Sequence, residues 1–315
     1  MSKIAYVFPG QGSQSVGMLR ELAQEFSLVE DLFSVASTRL GYDLWDLVQQ
    51  GPESTLNQTE HTQVAMLVAD VAVYQIIQRQ GGPRPSMMAG HSLGEYAALV
   101  CADALQLDDA AALVAKRGQL MQASVPLGQG AMAAIIGLTD EQVQTLCQQA
   151  SDALTQVTPA NYNAIGQVVI AGHTPAVERA IELADEMGAR MAKLIPVSVP
   201  CHCPLLSTAA NTFAKDLADT HFKVPSVDVI SNVDLSGYKT VDQMRTLLKE
   251  QLYSPVRWVE TIQMMKDQGV ETVIECGPGK TLSGLIKRID KTVTALSVND
   301  PLSLDAVLTQ FNHEG

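Results

Sequence analysis

The chain has 315 residues, 46% hydrophobic and only 17% charged, which excludes long disorder, collagen and coiled coil. Lys and Arg number 21 against 34 Asp and Glu, a net charge of −13, which argues against a nucleic-acid binder. No apolar run reaches the ~18 residues of a membrane span; a chain this long predicts one large domain or one large plus one small.

Lys3–Phe8 is a short apolar run with one basic residue before Pro9, and it reads as a first strand rather than a signal peptide. A breaker cluster, Pro9-Gly10-Gln11-Gly12-Ser13-Gln14, ends it. Residues 62–78 are apolar on nearly every face and predict a buried helix. Strand 86–90, helix 93–101 and helix 107–123 follow. From 127 to 198 the rhythm changes. Strand 130–137, a capping box at Thr139-Asp140-Glu141-Gln142 with its helix to 150, strands 155–158 and 167–171 around a loop of Asn161-Tyr162-Asn163, a helix opened by Thr174-Pro175, and strand 191–199 give β-α-β-β-α-β. That is the ferredoxin-like order. The alternation then resumes with helix 207–219, strand 227–231, helices 241–252 and 258–268, strand 272–276, helix 281–289, strand 292–298 and a last short helix. The fold class expected is α/β, with a mostly parallel sheet over 1–126 and 199–315 and a ferredoxin-like insert at 127–198. The five cysteines are scattered and read as reduced thiols of a cytoplasmic protein.

Gly90-His91-Ser92-Leu93-Gly94 is G-x-S-x-G between a strand and a helix. The turn is too tight for side chains two before or two after the serine, and the helix N-terminus behind it favours developing negative charge. The Leu93 N–H points where an oxyanion would form. A serine nucleophile needs a base. His91 should point away in so tight a turn; His61, His173 and His221 lie at or near element starts, and His313 lies in a tail expected to fray. His202 sits in Val197-Ser198-Val199-Pro200-Cys201-His202-Cys203-Pro204, bracketed by prolines; the residues alone leave it open between a catalytic and an ordinary loop histidine. Cys201-His202-Cys203 has poor zinc spacing, and no metal is expected. Gly277-Pro278-Gly279-Lys280-Thr281 lacks the first P-loop glycine, because Ile274 stands there, although the turn could receive some other anion. Arg117 beside Lys116 lies on an apolar helix, and spacing does not say which of the two snorkels to solvent.

Taken together, Phe8–Gln14, Gly90–Tyr96, Arg117-Gly118, Val199–His202 and Glu275–Gly279, in that order, resemble the malonyl-CoA:acyl-carrier-protein transacylases of bacterial fatty acid synthesis over essentially the whole chain. The acyltransferase domains of polyketide synthases are similar, less closely. The resemblance implies an α/β-hydrolase-like domain with a ferredoxin-like insert. It implies Ser92 as nucleophile, His202 as its base supported at Gln251, oxyanion donors at Gln11 and Leu93, and Arg117 on the free carboxylate of the acyl group. It implies malonyl-CoA and holo acyl carrier protein as partners and no cofactor beyond the coenzyme A thioester. Two departures stand out: Cys201 where Ser or Phe is commoner, and Asn163-Ala164-Ile165 where Ser-Pro often precedes Gly-Gln. An acidic enzyme meeting an acidic carrier protein needs a local basic face, expected at Lys280, Lys287, Arg288, Lys291, Arg190 and Lys193. The rival readings are a polyketide acyltransferase, a serine thioesterase lacking a pocket arginine, and a non-catalytic binding subunit.

Overall fold

The structure, a computed structural model, describes residues 3–197 and 199–312; Ser198 and His313 lie outside the described residues. Among the described residues nine strands form two sheets: β1 (Lys3–Phe8), β2 (Met87–Gly90), β3 (Gly130–Ile136), β4 (Val157–Ala164), β5 (Gln167–His173), β6 (Met191–Leu194), β7 (Asp228–Ile230), β8 (Val270–Cys276) and β9 (Thr294–Val298).

The larger sheet has the order β7-β2-β1-β8-β9 with every pair parallel. Its strands are short apolar runs because helices cover both faces. Along β1 the side chains alternate between two cores: Ile4, Tyr6 and Phe8 face one cluster, Ala5 and Val7 the other. The first cluster is built around the helix Thr59–Arg79, buried on nearly all sides as its composition predicts. The second holds the helices Trp258–Asp267 and Thr281–Ile289. The chain runs from β1 to β2 on one side of β1 and reaches β8 on the other. This is a topological switch point, and a crevice opens there beyond the carboxyl ends of the strands.

The smaller sheet has the order β4-β5-β3-β6 and is antiparallel throughout. Each β-α-β unit skips one strand, as the ferredoxin-like pattern requires. One face packs on the helices Asp140–Ala150 and Thr174–Glu186; the other presents Met132, Ala160, Val169 and Ala171 toward Cys203. The capping box at Thr139 and Gln142 is formed.

Several boundaries differ from the sequence reading. The segment Asn161-Tyr162-Asn163 is strand rather than loop, because Tyr162 N–H donates to Val256 O at 2.9 Å and Val256 N–H to Ala160 O at 2.9 Å. The connection shrinks to Ile165-Gly166, with Gly166 at φ 68°. Strand β4 starts at Val157, since Thr155 is bound by its N–H and hydroxyl to Asp152. Strand β6 ends at Leu194 rather than 199, because Pro196 offers no N–H to continue the ladder. The cap of the helix at 174 is His173, one residue earlier than read, and the Thr174 hydroxyl instead donates to Gly128 O at 2.8 Å. Four short helices between β1 and the long helix, Arg20–Glu25, Leu28–Leu40, Leu44–Gln50 and Glu53–Leu56, carry no sequence expectation. They bury Leu22, Phe33, Leu44 and Leu56 against the main core.

Asp70 breaks the apolar pattern of the long helix. It is fully buried, and neither carboxylate oxygen has a hydrogen-bond partner. A Cβ on Gly277 would fall 2.0 Å from its Oδ1, so the site exists only because that loop residue is glycine. Burial, then the charge of Glu275, pushes its pKa well up. A carboxyl raised on folding contributes most below its unfolded value of about 3.9 and loses that contribution as pH rises. Asp70→Asn is therefore expected to stabilise the protein by about 1–3 kcal/mol at pH 8, and by much less at pH 5. Urea unfolding at the two pH values checks this; an equal difference at both would remove the ionisation cost as the explanation.

Candidate active site

The carboxyl end of β2 turns directly into the helix Gly94–Cys101. Ser92 sits in that turn with φ 53°, a left-handed conformation rarely adopted by residues other than glycine. Its flanking glycines are sterically required: a Cβ on Gly90 would lie 1.8 Å from Gly94 C, and one on Gly94 2.0 Å from Phe8 O. Backbone bonds of the turn occupy the N–H groups of Gly94, Glu95 and Tyr96, and the Asn232 side chain occupies that of Ser92. Among the described residues Leu93 carries the first free N–H of the helix end, and a free helix N–H favours a developing anion.

His202 comes from a loop 110 residues away, with Nε2 2.7 Å from Ser92 Oγ. Its own φ is 58°, and its N–H donates to Leu252 O at 3.1 Å. Nδ1 lies 2.8 Å from the Gln251 carbonyl oxygen. A carbonyl can only accept, so Nδ1 carries the proton and Nε2 is left to accept from Ser92. Burial, then repulsion from Arg117, lowers the His202 pKa to about 3, so the imidazole is neutral at working pH. The arrangement can remove the serine proton without a carboxylate behind the histidine.

Arg117, on the helix Leu107–Ser124, is 1% exposed. It does not snorkel. One terminal nitrogen donates to Gln251 Oε1 at 2.9 Å and lies 3.4 Å from Ser92 Oγ. The guanidinium stands over the Tyr96 ring, and Nε is buried without a partner. Gln251 therefore has three contacts with this group: its backbone carbonyl meets His202, its amide oxygen meets Arg117, and its amide nitrogen meets the Ser92 carbonyl.

Ser92, His202 and Arg117, with Gln11 and Leu93, line one cavity of about 250 Å³. Met132 and Val169 from the small sheet close its other side, so the cavity lies between the two sheets. The basic residues expected at a docking face are not in it. Lys280, Lys287, Arg288, Lys291, Arg190 and Lys193 are all exposed. The helix carrying Lys287 and Arg288 does border the cavity through Thr281, Leu282 and Leu285. Arg288 also donates to Gln167 Oε1 at 2.7 Å, joining that helix to the start of β5.

The remaining candidates behave otherwise. His91 turns away from Ser92 and bonds Asn163 Oδ1 through Nε2 at 2.8 Å. Burial raises the Cys201 thiol to about 11 and Cys203 to about 12, leaving both protonated and poorly nucleophilic. Among the described residues no group of three or more His, Cys, Asp or Glu could hold a metal ion. The turn at 277–281 does not offer its helix end to an outside anion: the buried Glu275 carboxylate accepts from Leu282 N–H at 2.9 Å and Ser283 N–H at 2.7 Å. That corrects the sequence reading, because the anion the helix favours is already supplied by its own preceding strand.

Sequence reasoning missed three buried polar residues beneath the site. Glu95 accepts from Gln251 Nε2 at 2.7 Å, from Asn232 N–H at 3.2 Å and from the Tyr238 hydroxyl. Burial raises it to about 7 despite those bonds and the nearby Arg117. A charge inside an apolar helix could have flagged Glu95; Asn232 and Tyr238 lie in a loop with no local signature.

A strand-to-helix serine, a neutral histidine and a buried arginine meet in one crevice, an arrangement chemically suited to acyl transfer. The chain belongs to the acyl transferase domain family, whose model matches residues 5–300. It is 51% identical to the malonyl CoA-acyl carrier protein transacylase of Escherichia coli strain K12 over 308 residues, covering 98% of this chain and 99% of that protein. The Bacillus subtilis strain 168 protein of the same name is 40% identical over 314 residues, covering 100% of this chain and 99% of its own. Among solved structures, the acyl carrier protein S-malonyltransferase of Vibrio cholerae O1 superposes with a TM-score of 0.95 at 53% identity, covering 97% of this chain and 100% of that one. A malonyl-transacylase solved in complex with its type II polyketide acyl-carrier protein superposes at 0.96 and 49% identity, covering 98% and 100%.

Proposed function

We infer that this protein transfers the malonyl group from malonyl-CoA to the pantetheine thiol of holo acyl carrier protein through a malonyl ester on Ser92, supplying fatty acid elongation. Residues 1–126 and 199–315 form the catalytic body in this reading, and 127–198 its insert. The observation that carries it is Arg117, a buried cation 3.4 Å from Ser92 Oγ with an unpartnered Nε. A pocket that places such a charge beside the nucleophile suits an acyl group ending in a carboxylate, which the planar guanidinium can hold through two parallel hydrogen bonds.

His202 Nε2 takes the Ser92 proton as Oγ attacks the thioester carbonyl. The oxyanion faces the N–H groups of Leu93 and Gln11. The C–S bond breaks, and coenzyme A leaves with the proton held by His202. In the second half His202 takes the proton of the pantetheine thiol, sulfur attacks the ester, and Ser92 Oγ leaves and recovers its proton. Protein side chains and the thioester carry each step, so no cofactor is called for. Malonyl held on Arg117 in an apolar cleft keeps water from competing with the thiol. The free thiols of all five cysteines suit the reducing cytoplasm, and no helix among the described residues is long and apolar enough to cross a membrane.

Intact-protein mass spectrometry after brief mixing with malonyl-CoA tests the reading. One malonyl adduct is expected, absent in Ser92→Ala and discharged by holo carrier protein. An adduct lost equally fast without carrier protein would make the enzyme a thioesterase. Comparing fatty-acid and polyketide carrier proteins as acceptors decides between the two supplies.

The docking face is proposed at Lys280, Lys287, Arg288 and Lys291, with Arg190 and Lys193 of the insert. Charge reversal at both Lys287 and Arg288 is expected to raise the carrier-protein KM about tenfold at low salt, and by less as salt screens the contact. An unchanged KM would take these residues out of the interface.

A further inference from the structure

We propose that Asn232 is a positioning residue that clamps the nucleophile turn, fixing the Ser92 backbone from the carboxyl end of the neighbouring strand β7. The inference rests on Ser92 being the nucleophile, and it concerns a residue with no part in the transfer steps themselves. Asn232 follows β7 and is 1% exposed. Its Oδ1 accepts from Ser92 N–H at 2.8 Å, and its Nδ2 donates to Gly90 O at 2.7 Å. One planar amide thus bridges the last residue of β2 and the nucleophile. The partners also set its orientation, since an N–H needs the oxygen and a carbonyl needs the nitrogen.

The second backbone group of Ser92 is held as well. Gln251 Nε2 donates to Ser92 O at 3.0 Å. One buried carboxylate holds both residues: Glu95 accepts from the Asn232 backbone N–H and from Gln251 Nε2. Such a cradle has two consequences. A serine at φ 53° costs on the order of 1 kcal/mol or more, and persists only where its surroundings over-determine it. With its N–H occupied, Ser92 cannot turn that group toward an oxyanion, so that task is left to Leu93 and Gln11.

Only an amide supplies both an acceptor for Ser92 N–H and a donor for Gly90 O. In Asn232→Asp the acceptor stays and the donor is lost until the introduced carboxyl is protonated. The titratable groups around this position are Glu95 and Tyr238, with Arg117 and His202 one hydrogen bond further through Gln251; the Arg257 backbone N–H also reaches Asn232 O at 3.4 Å. The carboxylate beside Glu95 disfavours ionisation of a second one.

Two variants of the full-length protein test the clamp, each read by Ser92 acylation with malonyl-CoA and by inactivation with phenylmethylsulfonyl fluoride. Asn232→Ala is expected to slow both about thirtyfold or more, with the KM for malonyl-CoA within about twofold. Asn232→Asp is expected to be similarly slow at pH 8 and to regain activity relative to wild type as pH falls toward 5. A merely structural loss would not show that recovery. If Asn232→Ala does not fold, the Asn232→Asp profile alone decides. Rates within about threefold of wild type in Asn232→Ala, or a flat relative profile in Asn232→Asp, overturn the proposal. Failure of wild type to take malonyl would instead overturn the proposed substrate, while the sulfonyl fluoride rates would still report on the clamp.

Discussion

His202→Ala is expected to lower kcat/KM for Ser92 acylation about 10³–10⁴-fold, with KM nearly unchanged. The loss is large because, among the described residues, the other group bonded to Ser92 Oγ is Arg117, at 3.4 Å, a permanent donor that cannot accept a proton. The pH profile of the wild type carries a second, sharper expectation. Burial and the Arg117 charge hold the free-enzyme imidazole near 3. A base lowered in this way stays unprotonated in mildly acidic solution, so kcat/KM for the acylation half-reaction should show no histidine limb between pH 5 and 8. When a malonyl carboxylate neutralises Arg117, one source of that depression disappears and the His202 pKa rises. The acid limb of kcat should therefore lie at higher pH than that of kcat/KM. Single-turnover acylation across pH 5–8 measures both; a limb near 6.5 in kcat/KM would mean that the imidazole is solvated rather than buried.

Arg117→Ala is expected to lower malonyl transfer about 10²–10³-fold and to reverse the preference toward acetyl-CoA. Removing one partner of a buried charged pair typically costs about 3–5 kcal/mol, because the remaining charge is left uncompensated. Acetyl has no carboxylate to leave stranded and should lose far less. Arg117→Lys should recover little, since a single ammonium cannot reproduce the fork that reaches Gln251 Oε1 and still faces the acyl group. Competition between malonyl-CoA and acetyl-CoA, read by the mass of the acyl-enzyme, gives the ratio directly. An unaltered ratio would remove Arg117 from acyl selection, as the thioesterase reading requires.

The polar support beneath the site ties these two residues together. Glu95 carries no cationic partner of its own and is raised to about 7, yet it holds Gln251, and Gln251 holds both His202 and Arg117. The amide of Gln251 is oriented by that pairing, with its oxygen toward the guanidinium and its nitrogen toward the carboxylate. A buried network of this kind is stabilising only when every member is satisfied.

Local rules were enough for much of the molecule. The serine turn, the helix read at 62–78 as apolar on nearly every face, the capping box at Thr139 and the β-α-β-β-α-β order of the smaller sheet all follow from neighbours within a turn or a strand. Gly90 is required by sterics within the turn itself, whereas Gly94 is required by Phe8 O at the end of β1, a contact from far along the chain. Arg117 could be picked out as a cation on an apolar helix and His202 as a histidine bracketed by prolines, but only the family resemblance said what for. One boundary error has a long-range cause: Asn161-Tyr162-Asn163 looks like loop until Val256 supplies a backbone partner from elsewhere in the chain.

Tertiary structure decided what joins residues far apart. It set His202 against Ser92 across 110 positions and Asn232 beneath Ser92 across 140. It gave Gln251 a backbone contact with the histidine and a separate side-chain contact with the arginine. It also filled the helix end at Thr281 with Glu275 and left Asp70 unpaired in the core. Periodicity and turn chemistry report energies between near neighbours along the chain. Hydrogen bonds, desolvation and charge coupling depend on distances through space, and those are fixed only when the sheets and helices close around a common core.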